Sequence, residues 1–285
     1  MPTNRLSNGI RLSYDDHDDH GGHGGHGDHA SHDGRPGQGV PLVLVHGHPF
    51  DRSLWDPQVR ALADTRRVIT FDLRGYGASA APEGEANAPV TDFGDFARDL
   101  LALLDHLGVA RCALGGVSMG GQIVMDACVR FPERIAGVLL ADTSPATDTE
   151  AGKAFRRETA ERLLAEGMKG YAEEVLHKMA APYNEEAAAH VLRMMLAASP
   201  EGAAAALRAR AERPDYRPVL PGVTVPALVV VGRDDTYTPV ADAEAMHAVL
   251  PDSRLCVIER AAHLPNLERP QEFNAAVRDW LARVA

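Results

Sequence analysis

Cysteine and long apolar runs are both scarce in this chain of 285 residues. Its three cysteines, Cys112, Cys128 and Cys256, lie inside apolar segments and lack the spacing of metal ligands. They indicate buried free thiols in a reducing compartment rather than a disulfide framework. No apolar run reaches the length that spans a membrane, and residues 1–14 lack the apolar core of a signal peptide. We therefore expect a cytoplasmic protein with no membrane partner.

Positive charge is also in short supply. The chain has 29 Lys and Arg against 40 Asp and Glu, which gives a formal net charge of -11. Nucleic-acid binding needs a basic face, so this balance argues against a nucleic-acid partner. Part of the excess is local, because the aspartate-rich segment 15–33 contains no lysine or arginine.

The same segment carries a histidine at every third position. These histidines are His17, His20, His23, His26, His29 and His32. A triplet period matches neither the helix repeat nor the strand repeat, and glycine surrounds the histidines, so we predict a flexible loop over residues 15–35. Two interpretations stay open. The loop is either a solvated, functionally neutral insertion, or it holds a divalent metal such as Zn, Ni or Cu through imidazole and carboxylate.

Short buried strands alternate with helical patterns over most of the chain. The strand-like runs cover 40–45, 67–71, 112–114, 135–141, 227–231 and 255–258. Continuous apolar runs of this kind are typical of parallel sheets that are covered on both faces. The turn dipeptide Asn8-Gly9 predicts a hairpin ahead of them. Together these patterns predict an α/β protein with a mainly parallel, doubly wound sheet.

The alternation stops between residues 144 and 218, which are rich in Ala, Glu and Arg and show helical periodicity. We expect about four helices there, forming a cap inserted between the core segments 1–143 and 219–285. The cap contains side chains that suit either a substrate pocket or ordinary packing. They are Met168, Met179, Met194, Met195, Tyr171 and Tyr183.

The central motif is Gly116-Val117-Ser118-Met119-Gly120, a G-x-S-x-G sequence between a predicted strand and a predicted helix. The small glycines leave room for a sharp, strained turn that exposes the serine hydroxyl at a helix N-terminus. A glycine-rich turn with a capping serine is the alternative interpretation of these five residues.

A serine hydroxyl attacks a carbonyl at neutral pH only when an adjacent base, itself oriented by a carboxylate, removes its proton. Loops after two late strands supply candidates, namely Asp235 and His263. The order Ser118, Asp235, His263 is that of the α/β-hydrolase triad. Asp234 beside Asp235 and Asp142 after another strand are rival acids.

Several motifs in the same order make the chain resemble α/β-hydrolase-fold serine hydrolases, in particular oxoadipate enol-lactonase-like enzymes and small bacterial carboxylesterases. The matching motifs are His46-Gly47, Asp72 with Arg74 to Ser79, the Ser118 elbow, Gly232-x-x-Asp235 with Pro239, and His263 to Pro270. The resemblance implies an oxyanion hole made by the backbone N–H groups of His48 and Met119 and no cofactor. It also suggests that the His46 ring fixes a turn.

The resemblance implies a serine hydrolase whose small-molecule substrate is a carboxylic ester or lactone. A thioesterase, a carbon–carbon bond hydrolase and a cofactor-free perhydrolase would use the same three residues. A metal-buffering or sensory protein that works through the histidines is the alternative from another class. An enol-lactonase also needs a partner for a substrate carboxylate, for which Arg156, Arg157 and Arg193 are candidates, although solvent-facing roles suit them equally.

Overall fold

A computed structural model describes residues 3–17, 39–79 and 89–284. Eight strands form one sheet in the order β1-β2-β4-β3-β5-β6-β7-β8. The strands are β1 Thr3–Arg5, β2 Arg11–His17, β3 Leu42–Val45, β4 Val68–Phe71, β5 Cys112–Val117, β6 Ile135–Ala141, β7 Ala227–Gly232 and β8 Ser253–Ile258. The hairpin of β1 and β2 joins the sheet antiparallel, and the strands from β4 to β8 pair in parallel. The predicted mainly parallel α/β sheet is confirmed.

Helices cover both faces of this sheet, because strand side chains alternate between the faces. The core helices are α1 Asp56–Leu62, α2 Gly94–His106, α3 Met119–Arg130, α8 Val240–Val249, α9 Pro265–Glu268 and α10 Pro270–Leu281. Val43 and Val45 belong to the apolar cluster that contains residues of α2, α3 and α8. Leu42 and Leu44 belong to the cluster that contains residues of α1 and α10. The sheet is therefore doubly wound.

Four further helices lie between β6 and β7, and no strand occurs in that part of the chain. They are α4 Glu150–Glu166, α5 Met168–Met179, α6 Glu185–Ala197 and α7 Pro200–Ala211. Helix α7 approaches the loop after β4 very closely, since a Cβ built on Gly202 would lie 1.9 Å from the Gly75 carbonyl oxygen. Only glycine at position 202 permits this contact. The division of the chain into core and cap at residues 144 and 218 stays a prediction.

The start of the predicted histidine-rich loop is wrong by three residues. Residues 15–17 continue strand β2, and His17 lies opposite Val68 of β4. The aspartates of this stretch are held by arginines distant in sequence: Asp16 accepts two hydrogen bonds from Arg67, at 2.9 and 2.7 Å. Backbone pairing and these ion pairs extend the strand into a segment whose composition alone indicated a loop.

Among the helices in the described part of the chain, none is long and apolar enough to cross a membrane.

Candidate active site

The turn between β5 and α3 has the strained geometry that its sequence predicts. Ser118 has a φ of 55°, which is rare for a residue with a side chain. A Cβ added to Gly116 would lie 2.3 Å from the Gly120 backbone, and one added to Gly120 would lie 2.2 Å from the Val45 carbonyl oxygen. Glycine at both positions therefore lets the turn pack against the end of β3.

Hydrogen bonds on both sides hold the Ser118 backbone in this strained conformation. Its N–H donates to the Ala141 carbonyl at 2.9 Å, and its carbonyl accepts the Thr143 hydroxyl at 2.7 Å. The residue is 6% exposed, so its side chain lies in a largely water-excluded site. Its position at the N-terminus of α3 favours negative charge developing nearby.

Asp235 and His263 lie together, on the loops after β7 and β8. His263 Nδ1 donates to Asp235 Oδ2 at 2.8 Å, and both side chains are buried. Asp235 also accepts hydrogen bonds from the N–H groups of Tyr237 and Thr238 and from the Thr238 hydroxyl. Burial alone would raise the pKa of Asp235, but His263 and these donors hold it below its ordinary value. Asp235 is therefore ionised beside the ring at neutral pH.

The bond to Asp235 uses Nδ1 of His263 and leaves Nε2 available as a base. No hydrogen bond joins the Ser118 hydroxyl to His263 among the described residues. Such contacts are often long in the absence of substrate and tighten when it binds. The ring of Tyr237 packs against that of His263 at a centroid distance of 5.3 Å, which restricts the orientation of the imidazole.

Glu268 fixes the loop that carries His263. Its Oε1 accepts the N–H of Ala262, the residue before His263, at 2.8 Å. Its Oε2 accepts the Ala181 N–H at 2.9 Å and the Asn184 side-chain amide at 2.6 Å, both from the connection between α5 and α6. One buried carboxylate therefore links the cap to the His263 loop.

Hydrogen bonds distinguish the two rival acids from Asp235. Asp234 accepts a hydrogen bond from the hydroxyl of Tyr183 in the cap. Asp142 lies near Asp235 and His263 but makes no hydrogen bond to the ring; its Oδ1 accepts the Gly232 N–H at 2.9 Å. Of the three aspartates, Asp235 alone has the direct contact with His263.

The predicted oxyanion donors lie on either side of the elbow. Met119 begins helix α3, and N–H groups of the first turn have no acceptor within a helix. The His48 N–H makes no hydrogen bond to any described residue. Gly47, which precedes it, packs on the elbow, because a Cβ there would lie 3.2 Å from Ser118 Cβ. Both N–H groups thus remain available for an acceptor beside Ser118.

The two histidine rings after β3 have different surroundings. His46 bonds the Gly47 carbonyl at 2.8 Å and accepts the Leu73 N–H at 2.9 Å, so it holds the loops after β3 and β4 together. The His48 ring bonds the Tyr76 hydroxyl at 2.7 Å, and its other nitrogen is buried with no hydrogen-bond partner in the described part of the chain. Burial, followed by the charge of Arg210, lowers the pKa of His48 well below its usual value, so the ring is neutral.

Arg210, on α7, was not singled out by sequence patterns. Its Nε donates to the Gln122 side chain at 2.8 Å, and Gln122 lies one helical turn after Ser118. Burial and two neighbouring guanidinium groups, Arg156 and Arg213, lower its pKa well below the ordinary arginine value. Both neighbours share one carboxylate, Asp148, and no carboxylate among the described residues bonds Arg210 itself. The site therefore has a largely buried positive charge without a carboxylate partner.

Two of the three arginines that the sequence suggests for a substrate carboxylate already bond a carboxylate of the protein. Arg156 bonds Asp148, and Arg157 bonds Glu212. Arg193 is exposed and contacts His190. From the sequence alone, an arginine on an alanine-rich helix, such as Arg210, is expected to face solvent. The sequence therefore contains no pattern that places Arg210 in the active site.

The suggested pocket-lining residues of the cap separate into four groups. Met179, Met194 and Met195 pack in the apolar cluster on the α1 and α10 face of the sheet. Met168 packs among α4 and α7 instead. Tyr183 is 49% exposed above Asp234. Tyr171 is the one of the six whose ring lies against His48, at a centroid distance of 6.1 Å.

Of the six loop histidines, the structure describes His17 alone, at the end of β2. The other five (His20, His23, His26, His29 and His32) lie outside the described residues, so metal binding there stays a prediction. Within the described ranges, Asp142, Asp235 and His263 bring three potential ligand atoms within 4.8 Å of one another. Hydrogen bonds already occupy both Asp235 oxygens and Nδ1 of His263, so this group does not suit a metal ion.

Comparisons with known proteins agree with this architecture. A family model for the alpha/beta hydrolase fold matches residues 40–270. The 3-oxoadipate enol-lactonase 2 of Acinetobacter baylyi is 32% identical over 236 residues, 81% of this chain and 84% of that protein. A thermophilic esterase from Thermogutta terrifontis, solved with malate bound, is 34% identical with a TM-score of 0.86, covering 99% of this chain and 98% of that one. The enol-lactonase from Burkholderia xenovorans LB400 is 28% identical with a TM-score of 0.83, covering 99% of this chain and 100% of that one.

Proposed function

Because this chain belongs to the α/β-hydrolase fold family, we propose that it hydrolyses carboxylic esters or lactones through an acyl-enzyme on Ser118. The observation that carries the proposal is the buried hydrogen bond of 2.8 Å between His263 and Asp235. Asp235 follows β7 and His263 follows β8, and both strands are parallel to β5, which Ser118 follows. The three residues therefore lie at the same edge of the sheet. Relatives named as enol-lactonases and esterases support the same class of substrate.

In the proposed reaction, the Ser118 hydroxyl gives its proton to Nε2 of His263 while Oγ bonds to the carbonyl carbon. The carbonyl oxygen takes the electron pair and is held by the N–H groups of His48 and Met119. Collapse of this intermediate breaks the bond to the alcohol oxygen, which takes the proton from His263. Water then repeats the attack on the acyl-enzyme and releases the acid. Asp235 stabilises the imidazolium in both halves of the reaction.

A thioester or a carbonyl–carbon bond would pass through the same intermediates, and peracid formation would replace water with hydrogen peroxide. Ester and lactone hydrolysis is the function we propose, because the names of the enol-lactonases and the esterase above describe it.

We further propose that the preferred substrate carries a free carboxylate in addition to the ester, and that this carboxylate pairs with Arg210. A largely buried guanidinium without a carboxylate partner is unfavourable, and an anionic ligand would supply the missing charge. Arg210 bonds Gln122, one helical turn after Ser118, and its charge acts on the pKa of Tyr237, whose ring packs against His263. A carboxylate held by Arg210 would therefore lie on the side of the site where we expect the ester to react. The Thermogutta esterase holds malate, a dicarboxylate, which is consistent with this expectation.

Labelling with a fluorophosphonate probe tests the nucleophile. Wild type should react, and Ser118→Ala should lose both labelling and ester turnover, the latter by about 10⁴-fold or more, because the groups of such a site act as a unit. His263→Ala should lose a comparable amount. Ser53→Ala, a serine outside the elbow, is the control and should label normally. Turnover by Ser118→Ala at the wild-type rate would refute the mechanism.

Two esters of equal length test the role of Arg210: monoethyl glutarate, which ends in a carboxylate, and ethyl pentanoate, which ends in a methyl group. Arg210→Gln should lower kcat/KM for the acidic ester by roughly 10–100-fold, as expected for loss of one charge-assisted interaction. The neutral ester should change by less than about threefold. Arg208→Gln, on the exposed side of α7, is the matched control. Equal losses on both esters would refute carboxylate binding at Arg210.

A further inference from the structure

Asp142, the residue after β6, is held in an unusual position. Its φ of 44° is uncommon for a residue with a side chain, and strain of this kind accumulates at functional sites. Its side chain is buried, and Oδ1 accepts the Gly232 N–H at 2.9 Å. Its other oxygen, Oδ2, is equally buried, and no donor of the described residues reaches it.

The surroundings of Asp142 are acidic. A carboxyl oxygen of Asp142 lies within 4.8 Å of one from Asp235 and of a ring nitrogen of His263. Asp235 already accepts four hydrogen bonds and is ionised. Two carboxylates this close in a water-excluded site repel each other unless one of them carries a proton. Burial, followed by the charge of Asp235 and more weakly that of Glu268, raises the pKa of Asp142 well above its ordinary value.

We propose that Asp142 is a neutral carboxylic acid at working pH and that its hydroxyl donates a hydrogen bond to the Asp235 carboxylate. This accounts for the buried oxygen that no donor reaches, because that oxygen is itself the donor. Asp142 is then a positioning residue for the Asp235–His263 pair. Its effect on the reaction rests on the proposed function, whereas its protonation does not.

The extra donor has two consequences for the pair. It adds a further hydrogen bond to the Asp235 carboxylate, which restricts rotation of that carboxylate, so that Oδ2 keeps its direction toward Nδ1. It also withdraws negative charge from Asp235, which makes the carboxylate a weaker stabiliser of the imidazolium. Removing the donor should therefore favour the protonated ring and move the acid limb of the pH–rate profile to higher pH.

Stability against pH tests the protonation directly. A proton held by folded Asp142 is released on unfolding above about pH 4, so the native state loses stability as pH rises. Asp142→Asn keeps both hydrogen bonds and holds no such proton. The unfolding equilibrium constant of wild type, divided by that of Asp142→Asn, should rise by about tenfold per pH unit between about pH 5.5 and 7.5 in denaturant titrations.

Asp148→Asn is the matched control for this measurement. Asp148 is bonded by Arg156 and Arg213, and its pKa is lowered, so it is ionised in both folded and unfolded protein over that range. The corresponding ratio should therefore not change with pH. A flat ratio for Asp142→Asn as well would overturn the proposal, because Asp142 would then be a carboxylate in the folded protein.

The pH–rate profile tests the positioning role. Asp142→Asn should retain the wild-type acid limb, because the amide is also a donor. Asp142→Leu should move that limb upward by roughly half to one pH unit. Unchanged profiles in both variants would overturn the positioning role. If the protein hydrolyses no ester, the stability ratio alone still decides whether Asp142 is protonated, so failure of the two proposals can be distinguished.

Discussion

Replacing Glu268 by glutamine should lower the free energy of unfolding by about 3 kcal/mol. The buried carboxylate accepts three hydrogen bonds, from Ala262, Ala181 and Asn184. A glutamine has one acceptor oxygen, so in either orientation at least one buried N–H loses its partner and faces an amide N–H. A hydrogen bond to a charged group contributes about 1.5–3 kcal/mol, and an unsatisfied buried donor costs about 1–3 kcal/mol.

Equilibrium unfolding in urea measures this loss, with Glu272→Gln as the control. Glu272 is exposed in the first turn of α10, so its replacement should change the unfolding free energy by less than about 0.5 kcal/mol. Glu268→Gln should also reduce ester turnover, because the Ala262 N–H that it releases adjoins His263. A Glu268→Gln protein as stable as the Glu272→Gln control would refute the view that this carboxylate holds the His263 loop and the cap together.

Three further changes have defined outcomes. Gly120→Ala places a methyl group 2.2 Å from the Val45 carbonyl oxygen, so the melting temperature should fall and the unfolding free energy should drop by roughly 3 kcal/mol. Asp95→Ala removes the acceptor for the N–H groups of Thr91 and Asp92, just before α2, and should cost about 1 kcal/mol at pH 7. Since the pKa of Asp95 is lowered in the folded protein, the difference in stability between the two proteins should begin to shrink only as pH falls below about 4 in acid titrations, and should go on shrinking at lower pH. Excision of residues 18–33 should leave melting and ester turnover nearly unchanged, because His17 and Leu42 both lie beside Val68 and the eight residues 34–41 that remain between them are long enough for the gap of roughly 10 Å. Isothermal titration with Zn²⁺ before and after the excision tests whether the removed histidines bind metal.

Buried strands were predictable because their signal is local. The apolar run of β6 was predicted with the bounds that the structure has, and β4 and β7 with bounds that differ by one residue. Each run is covered on both faces, so almost every side chain in it is apolar. The Ser118 turn was predictable for a similar reason, since the glycines that it requires are adjacent to it in sequence.

Features that depend on contacts across the sheet were not predictable from the sequence. The composition of residues 15–17 predicts a loop, because it does not reveal that Arg52 bonds Asp15 and that Arg67 bonds Asp16. The sequence around Arg210 predicts a solvent-facing helical arginine, because it does not show that the helix packs near the elbow. Sequence patterns present Asp142 only as a rival to Asp235, because the short distance between the two carboxyl groups cannot be derived from a sequence.

The cap is attached on either side of the elbow strand. Gly202 packs on Gly75 near β4, and Glu268 accepts two hydrogen bonds from the cap, from Ala181 and Asn184, beside β8. A cap attached at both ends cannot swing open as one body without breaking one of these attachments. We therefore expect the path to Ser118 to keep a constant width and to select substrates by size. We expect release of product to need no slow opening step, and kcat should stay constant when sucrose raises the viscosity of the solvent. A kcat that falls in proportion to viscosity would show instead that the cap must move in each turnover.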